Sequence, residues 1–226
     1  MRRICIIPAR GGSKRIPKKN IKLFLGKPII AYSIEAALNS GLYDKVIVST
    51  DDEEIKKIAE SYNAEVPFLR SEKNSNDFAT TVDVLLEVLE KLIELNLRYD
   101  VATCIYPTAP FTTPKLLKDS ISILENKKCD CVFPIVKYSY PIQRALQLNH
   151  EAKIEMINQK NTFTRSQDLQ DSYHDAGQFY SFYCKTAIDK QNLMTDNTYG
   201  IEVDELKVQD IDNETDWKLA ELKYEL

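Results

Sequence analysis

Short apolar runs alternate with amphipathic stretches along most of the chain. Residues 3–8 and 45–50 read as buried strands, and between them 28–39 carries apolar side chains at helical spacing, which predicts a β-α-β unit. A helix is expected from about Asp51 to Tyr62, capped by Thr50 or Asp51, with Asp52, Glu53 and Glu54 at the positive end of its dipole. From 80 to 96, Val82, Leu85, Leu86, Leu89, Leu92 and Ile93 keep the three-four spacing of one helical face. Then follow a strand at 101–106, a helix opened by Pro114 at 114–125, and strands at 131–136, 178–184 and 206–208. A helix at 213–224 closes the chain.

This alternation implies a Rossmann-like α/β fold, a mostly parallel sheet with helices on both faces and right-handed crossovers. Regularity fails only across 137–173, where Pro141, Asn149, Asn158 and Asn161 punctuate short extended pieces at 144–148 and 153–157. That pattern predicts a small β-rich insertion in a single domain spanning 1–226. Such a hairpin excursion closes over a substrate, makes a dimer contact, or does both.

Composition narrows the class. With 43% hydrophobic side chains in 226 residues, one core can form without metals or disulfides. No stretch approaches the roughly 20 apolar residues of a membrane span, and the first apolar run is broken too early by Pro8 for an export signal. A soluble, cytoplasmic protein without a membrane partner is expected. The five cysteines are odd in number and lie mostly in apolar runs, as reduced thiols do. The Cys129/Cys131 spacing, with only His150 and His174 to add, is a poor match to a zinc site. A net charge of -4 argues against nucleic acid as a partner. Yet Arg10, Lys14, Arg15, Lys18, Lys19 and Lys22 fall together with no acidic residue among them, which points to a small polyanion.

These cations lie in the loop that leaves the first strand, Ala9-Arg10-Gly11-Gly12-Ser13-Lys14, where α/β sheets gather their ligands. Gly11 and Gly12 are expected to take backbone geometries closed to other residues and to bring main-chain amides to phosphate oxygens. Ser13 adds a donor. The spacing matches neither the Walker loop nor the dinucleotide fingerprint. Near the other end, Asp210 and Asp212 alternate on an extended segment, so both carboxylates face one side, as Mg²⁺ shared with a phosphate requires. The competing reading makes Asp212 or Asn213 the cap of the last helix, with Glu214 and Asp216 in its first turn. Thr80 and Thr81 likewise either cap the helix behind them or meet a base edge. Asp51 is a further carboxylate beside the expected crevice.

The run from Pro8 to Lys14, followed by Pro17-Lys18-Lys19-Asn20, resembles the signature of the cytidylyltransferases that activate sialic-acid-type sugars. The similarity extends to Ser49-Thr50-Asp51-Asp52, Pro67-Phe68-Leu69-Arg70-Ser71, Tyr106-Pro107-Thr108-Ala109-Pro110 and Gln209-Asp210-Ile211-Asp212. It implies CMP transfer from CTP to the anomeric hydroxyl of a nine-carbon nonulosonic acid. Ala9, Arg10, Gly11, Gly12, Ser13, Lys14, Lys19 and Asn20 would hold the triphosphate and nucleotide, and Arg70, Ala79 and Thr80 the cytosine and ribose. Lys19 and Arg10 would meet charge building on the α-phosphate, and Asp210 and Asp212 would hold Mg²⁺. A homodimer is implied, with the insertion packed against or over the neighbour's cleft.

The segments around Tyr138-Ser139-Tyr140, Arg165-Ser166-Gln167-Asp168 and His174-Asp175-Ala176-Gly177-Gln178 are similar to the pseudaminate branch more than to the sialate branch. Tyr106 stands where sialate enzymes usually carry Gln. Pseudaminic acid is therefore the expected acceptor, with N-acylneuraminic and legionaminic acids as alternatives. Arg144 and Arg165 either clamp the sugar carboxylate or form ion pairs, and Tyr106, His174 and Gln178 are the other sugar candidates. A non-catalytic nucleotide sensor is the reading from another class. It has no need of the acidic pair or an acceptor pocket.

Overall fold

The computed structural model describes residues 1–226. β1 (Arg3–Pro8) leads into a long loop, a 3₁₀ turn at Lys19–Ile21, a small hairpin of β2 (Leu23–Phe24) and β3 (Lys27–Pro28), and α1 (Ile29–Ser40). β4 (Lys45–Ser49), α2 (Glu53–Ser61), α3 (Thr81–Glu94), β5 (Val101–Ile105), α4 (Pro114–Lys127) and β6 (Cys131–Lys137) follow. The insertion contributes β7 (Leu146–Leu148) and β8 (Ile154–Met156), an antiparallel hairpin apart from the main sheet. The chain then returns through β9 (Tyr173–Asp175), β10 (Phe179–Tyr183), α5 (Cys184–Lys190), β11 (Thr198–Glu202) and α6 (Glu214–Tyr224).

The central sheet is ordered β11-β6-β10-β5-β1-β4, with β9 also paired to β6. β4, β1, β5, β6 and β11 run one way, and β10 and β9 run against them. Side chains of successive strand residues face opposite sides, so β1 feeds two cores. Cys5 and Ile7 pack with Ile34 of α1, Ile55 of α2 and Leu117 of α4. Ile4 and Ile6 pack on the other face with Leu85, Val88, Leu89 and Leu92 of α3. Both faces are therefore covered, and the carboxyl ends of β1 and β5 open into one crevice.

Local chemistry explains where the elements depart from expectation. The cap of α2 is Asp52, whose side chain accepts from the amides of Glu54 and Ile55. Asp51 is unavailable for that role because its carboxylate accepts from the Gly11 amide at 2.9 Å. The expected strand at 206–208 is instead a 3₁₀ turn at Glu205–Lys207, and the strand in this region is β11. β11 is an edge strand whose residues stay partly exposed, so no apolar run announced it. Gly200 lets it lie close to β6, since a Cβ there would fall 2.5 Å from Ile135 Cδ1. α5 is only seven residues long and follows β10 without a loop; the expected strand at 178–184 matches β10 and overlaps the helix at Cys184 alone, so the helix itself was not expected. Pro114 does open α4, at the first turn behind the Thr113 cap.

All five cysteines are buried and free. Burial pushes the Cys131 and Cys184 thiols up to about 12, which leaves them protonated and unreactive. No helix is long and apolar enough to cross a membrane.

Candidate active site

A third cluster, of Ile16, Phe24, Ile29, Phe111, Ile211 and Trp217, fastens the loop after β1 to the segment before α6. Apolar packing thus brings together polar residues that are distant in sequence. The Lys19 ammonium donates to the Ile211 carbonyl at 2.5 Å and lies 3.8 Å from Asp212 Oδ1. Burial pulls the Lys19 pKa down, while Asp212 and Asp210 push it back up. A cation held this way is poorly hydrated, so its field on a nearby anion is weakly screened.

The loop itself is set by Asn20, whose buried amide donates to the Arg10 carbonyl at 2.9 Å. Neither Gly11 nor Gly12 adopts the left-handed backbone expected of them. Gly11 is required for space instead, since a Cβ there would fall 2.7 Å from Asp52 Oδ2. Arg10, Ser13, Lys14, Lys19 and Asn20 line a cavity of about 320 Å³, opposite Arg70, Ala79, Thr80 and Tyr106. Ala9 is fully buried beneath the loop, and Ala9, Gly11 and Gly12 shape the cavity without lining it.

The opposite wall rests on a buried arginine and a carboxylate. Arg70 donates from Nε to Ser49 Oγ at 3.1 Å and from a terminal nitrogen to the Ser49 carbonyl. Burial lowers its pKa, and Asp51 and Glu87 act against that. Glu87 of α3 accepts from the Ser71 amide and hydroxyl, both at 2.8 Å, and from Asn74 and Lys91, both at 2.6 Å. It thereby fixes the 3₁₀ turn at Glu72–Asn74, beside which Arg70 and Asn74 enter the cavity. Burial pushes the Glu87 carboxyl up, but Lys91, Ser71 and Asn74 outweigh it and bring the pKa down to about 2. Depressed below the unfolded value of about 4.3, it adds stability above that pH, lost as pH falls toward 2. Glu87→Ala should cost about 2–3 kcal/mol at neutral pH by urea denaturation, a difference that shrinks as pH falls from about 4 toward 2. A pH-independent difference would remove the carboxylate from this role.

Thr80 is the cap of α3, in a reciprocal box with Asp83, and it lines the cavity as well. Thr81 does not cap; its hydroxyl lies 3.1 Å from that of Tyr106. At the far end, Asn213 caps α6 in a second reciprocal box with Asp216, so the helix needs neither Asp210 nor Asp212. Asp212 instead pairs with Arg15 at 2.7 Å and faces Lys19. Asp210 lines the cavity and forms no ion pair of its own. Desolvation raises its pKa, and the neighbouring Asp212 raises it further. Lys19 offsets part of this from beyond ion-pair distance, and two mutually repelling carboxylates of which one has no direct ion pair fit a divalent metal shared with an anionic ligand.

A family model described as cytidylyltransferase matches residues 4–220. The chain is 41% identical over 226 residues to the pseudaminic acid cytidylyltransferase of Campylobacter jejuni, covering 100% of this chain and 97% of that protein. It is 30% identical over 229 residues to the CMP-N,N'-diacetyllegionaminic acid synthase of Legionella pneumophila, again covering 100% and 97%. The chain belongs to the cytidylyltransferase family. In fold it is similar to a CMP:2-keto-3-deoxy-manno-octonic acid synthetase solved with CTP, at a TM-score of 0.71 and 17% identity, with 100% of both chains covered.

This cytidylyltransferase is thus a nucleotidyltransferase, and members of its family generally use a divalent metal. Its sugar candidates do not all converge. Tyr106 lines the cation-rich cavity, but Arg144 reaches only Ser166 at 3.4 Å, and Arg165 forms a two-pronged ion pair with Asp168 at 2.7 and 3.0 Å. Both arginines lie on the insertion, away from the cleft of their own chain. The His174 ring packs against Tyr138, tilted by 60° with centroids 4.9 Å apart, in a cavity at the base of the insertion that meets the main one at Asp210. Gln178 is buried, with its amide on the Lys207 carbonyl and its oxygen unpartnered.

Sequence reading missed the apolar side of the cytidylyltransferase cleft. Thr80, Thr81 and Tyr106 are shared with a pocket of about 270 Å³ whose other walls include Val82, Phe133, Tyr180, Leu193 and Met194. Tyr180 packs edge-on to Tyr106 at 5.8 Å and donates to Asp175. Phe133 was legible only as a strand residue, and Tyr180 only as a strand residue at the end of the segment from His174 that resembles the pseudaminate branch. Leu193 and Met194 sit in the turn after α5, which had not been anticipated.

Proposed function

We propose that this enzyme transfers CMP from CTP to the anomeric hydroxyl of pseudaminic acid and releases pyrophosphate. The observation that carries the reading is the junction at Tyr106 of a cation-lined cleft with an apolar side pocket. The cleft suits a triphosphate; the pocket suits the N-acyl methyl groups of a nonulosonic acid. The full-length identity to the Campylobacter jejuni enzyme supports the choice of acid.

In this reading Arg10, Ser13, Lys14 and Lys19 hold the triphosphate, and Arg70, Ala79 and Thr80 hold the cytidine. The sugar hydroxyl attacks the α-phosphorus; its oxygen–phosphorus bond forms as the bond to the β-phosphate oxygen breaks. Its proton passes to solvent, and pyrophosphate leaves with the electron pair. Lys19 meets the charge that builds on the α-phosphate oxygens, and alignment of the two substrates across Tyr106 supplies the rest. Asp210 and Asp212 are the residues that would hold Mg²⁺, which when bound neutralises phosphate charge.

Exposed Leu146, Leu148, Ile154, Ile157 and Phe163 on the insertion favour a homodimer that covers them. In such a dimer Arg144 and Arg165 serve the neighbour's cleft. Five buried, reduced thiols suit the cytoplasm. The test is pyrophosphate release from CTP and Mg²⁺ with pseudaminic, N-acetylneuraminic or legionaminic acid, with mass detection of the CMP conjugate and sedimentation of the same sample. Turnover with pseudaminic acid is expected to exceed the others by at least about 10²-fold, the range a pocket's contacts can supply. Preference for another acid would overturn the acceptor, CTP binding without turnover would favour a nucleotide sensor, and sedimentation as a monomer would overturn the dimer.

A further inference from the structure

The cations of the loop after β1 are all engaged by the protein's own groups, and their partners differ in kind. Arg15 is paired with Asp212, Lys18 with Glu54 and Lys22 with Glu214, acids at helix starts or on the α6 approach. Arg10 and Lys14 share Asp77, which belongs to neither helix nor strand. Arg10 Nη1 donates to Asp77 Oδ1 at 2.7 Å, and the Lys14 ammonium donates to the other oxygen. One oxygen for each of two cations is the arrangement a phosphate would offer. Arg10 also donates to the Asn76 carbonyl at 3.1 Å, so the 76–77 segment reaches across the cavity that all these residues line.

We propose that Asp77 is an internal counter-anion that stands in for the triphosphate on Arg10 and Lys14 and sets the affinity for CTP. This rests on the reading of the loop as the triphosphate site. The Asp77 side chain is 41% exposed and that of Lys14 79%, so each pair is weak and water-accessible. A triphosphate brings several negative charges where Asp77 brings one, and it displaces the carboxylate. The pairing keeps both cations from binding stray anions while the cleft is open, and it reduces CTP affinity by the strength of the two pairs. The opposite role, in which Asp77 orients the cations for substrate, predicts weaker binding when the carboxylate is lost.

The experiment is calorimetric titration without added metal of wild type, Asp77→Asn and Asp77→Ser, using CTP, inorganic tripolyphosphate and cytidine. Both variants are expected to bind CTP and tripolyphosphate about three- to tenfold more tightly, and cytidine unchanged. The gain should diminish with added salt, as screening weakens the pairs in wild type. Unchanged or weaker tripolyphosphate binding by a folded variant overturns the proposal, as does an equal gain for cytidine. Absence of CMP transfer by wild type, with the tripolyphosphate gain intact, defeats the functional reading and leaves this one standing. Normal transfer by wild type without that gain does the reverse.

Discussion

Lys19→Ala lowers kcat by about 10²–10³-fold, the loss typical of removing one preorganised charge from a transferring phosphoryl group. The KM for CTP should move by less than about tenfold, because Arg10, Ser13 and Lys14 still line the cleft. What makes Lys19 different from the other loop cations is its setting. Its side chain is 20% exposed against 79% for Lys14 and 66% for Lys18, and it is tethered to the Ile211 carbonyl. A cation so placed needs little reorganisation as charge develops, which is the condition for lowering a barrier rather than merely binding the ground state. Lys19→Arg should rescue poorly, since a planar guanidinium does not fit the tether of a compact ammonium. Steady-state kinetics with saturating sugar decide the matter. A raised KM with kcat unchanged would make Lys19 a binding residue only.

The cation-rich loop that lines the cleft was legible because its signal is compositional: six cations without an acid, directly after a buried strand. The alternation of β1, α1, β4, α2, α3, β5, α4 and β6 was legible for a similar reason, since each helix buries one apolar face and each of these strands is a short, almost wholly buried run. What escaped lacks that signature. β11 lies at the sheet edge and stays partly exposed, and α5 is too short for helical periodicity to register. Gly11 was expected to supply unusual backbone geometry, whereas what demands a glycine there is closeness to Asp52, a residue of a distant segment. The pairs Asp51 with Gly11 and Glu87 with Ser71 are likewise contacts between distant segments, invisible to any local pattern. The apolar pocket behind Tyr106 draws on α3, β6, β10 and the turn after α5, so no window of sequence contains it.

If Asp210 holds the metal as proposed, Asp210→Asn should abolish the Mg²⁺-stimulated part of the activity, a loss of roughly 10³-fold that corresponds to several kcal/mol of charge stabilisation. Helix capping does not account for the residue, because the Asn213 side chain accepts from the Thr215 and Asp216 amides, and the Asp216 carboxylate from those of Asp212 and Asn213. Asp212 is balanced by Arg15 and Lys19. Asp210 stands against Gly177, at φ 63, where a Cβ would come within 3.5 Å of its Cγ, and it is left to repel Asp212. Neutralising it should therefore leave the fold intact or slightly firmer, with the thermal midpoint unchanged or raised by a few degrees. Asn213→Ala should do the opposite and cost about 1 kcal/mol of stability with activity largely retained. Chelation of wild type by EDTA should reproduce the Asp210→Asn loss, and added Mg²⁺ should restore the wild type alone. Equal stimulation of Asp210→Asn and wild type by Mg²⁺ would remove Asp210 from the metal's ligands. The opposed effects of Asp210 and Asn213, three residues apart, separate a carboxylate kept at a cost to stability from a side chain that supports the helix.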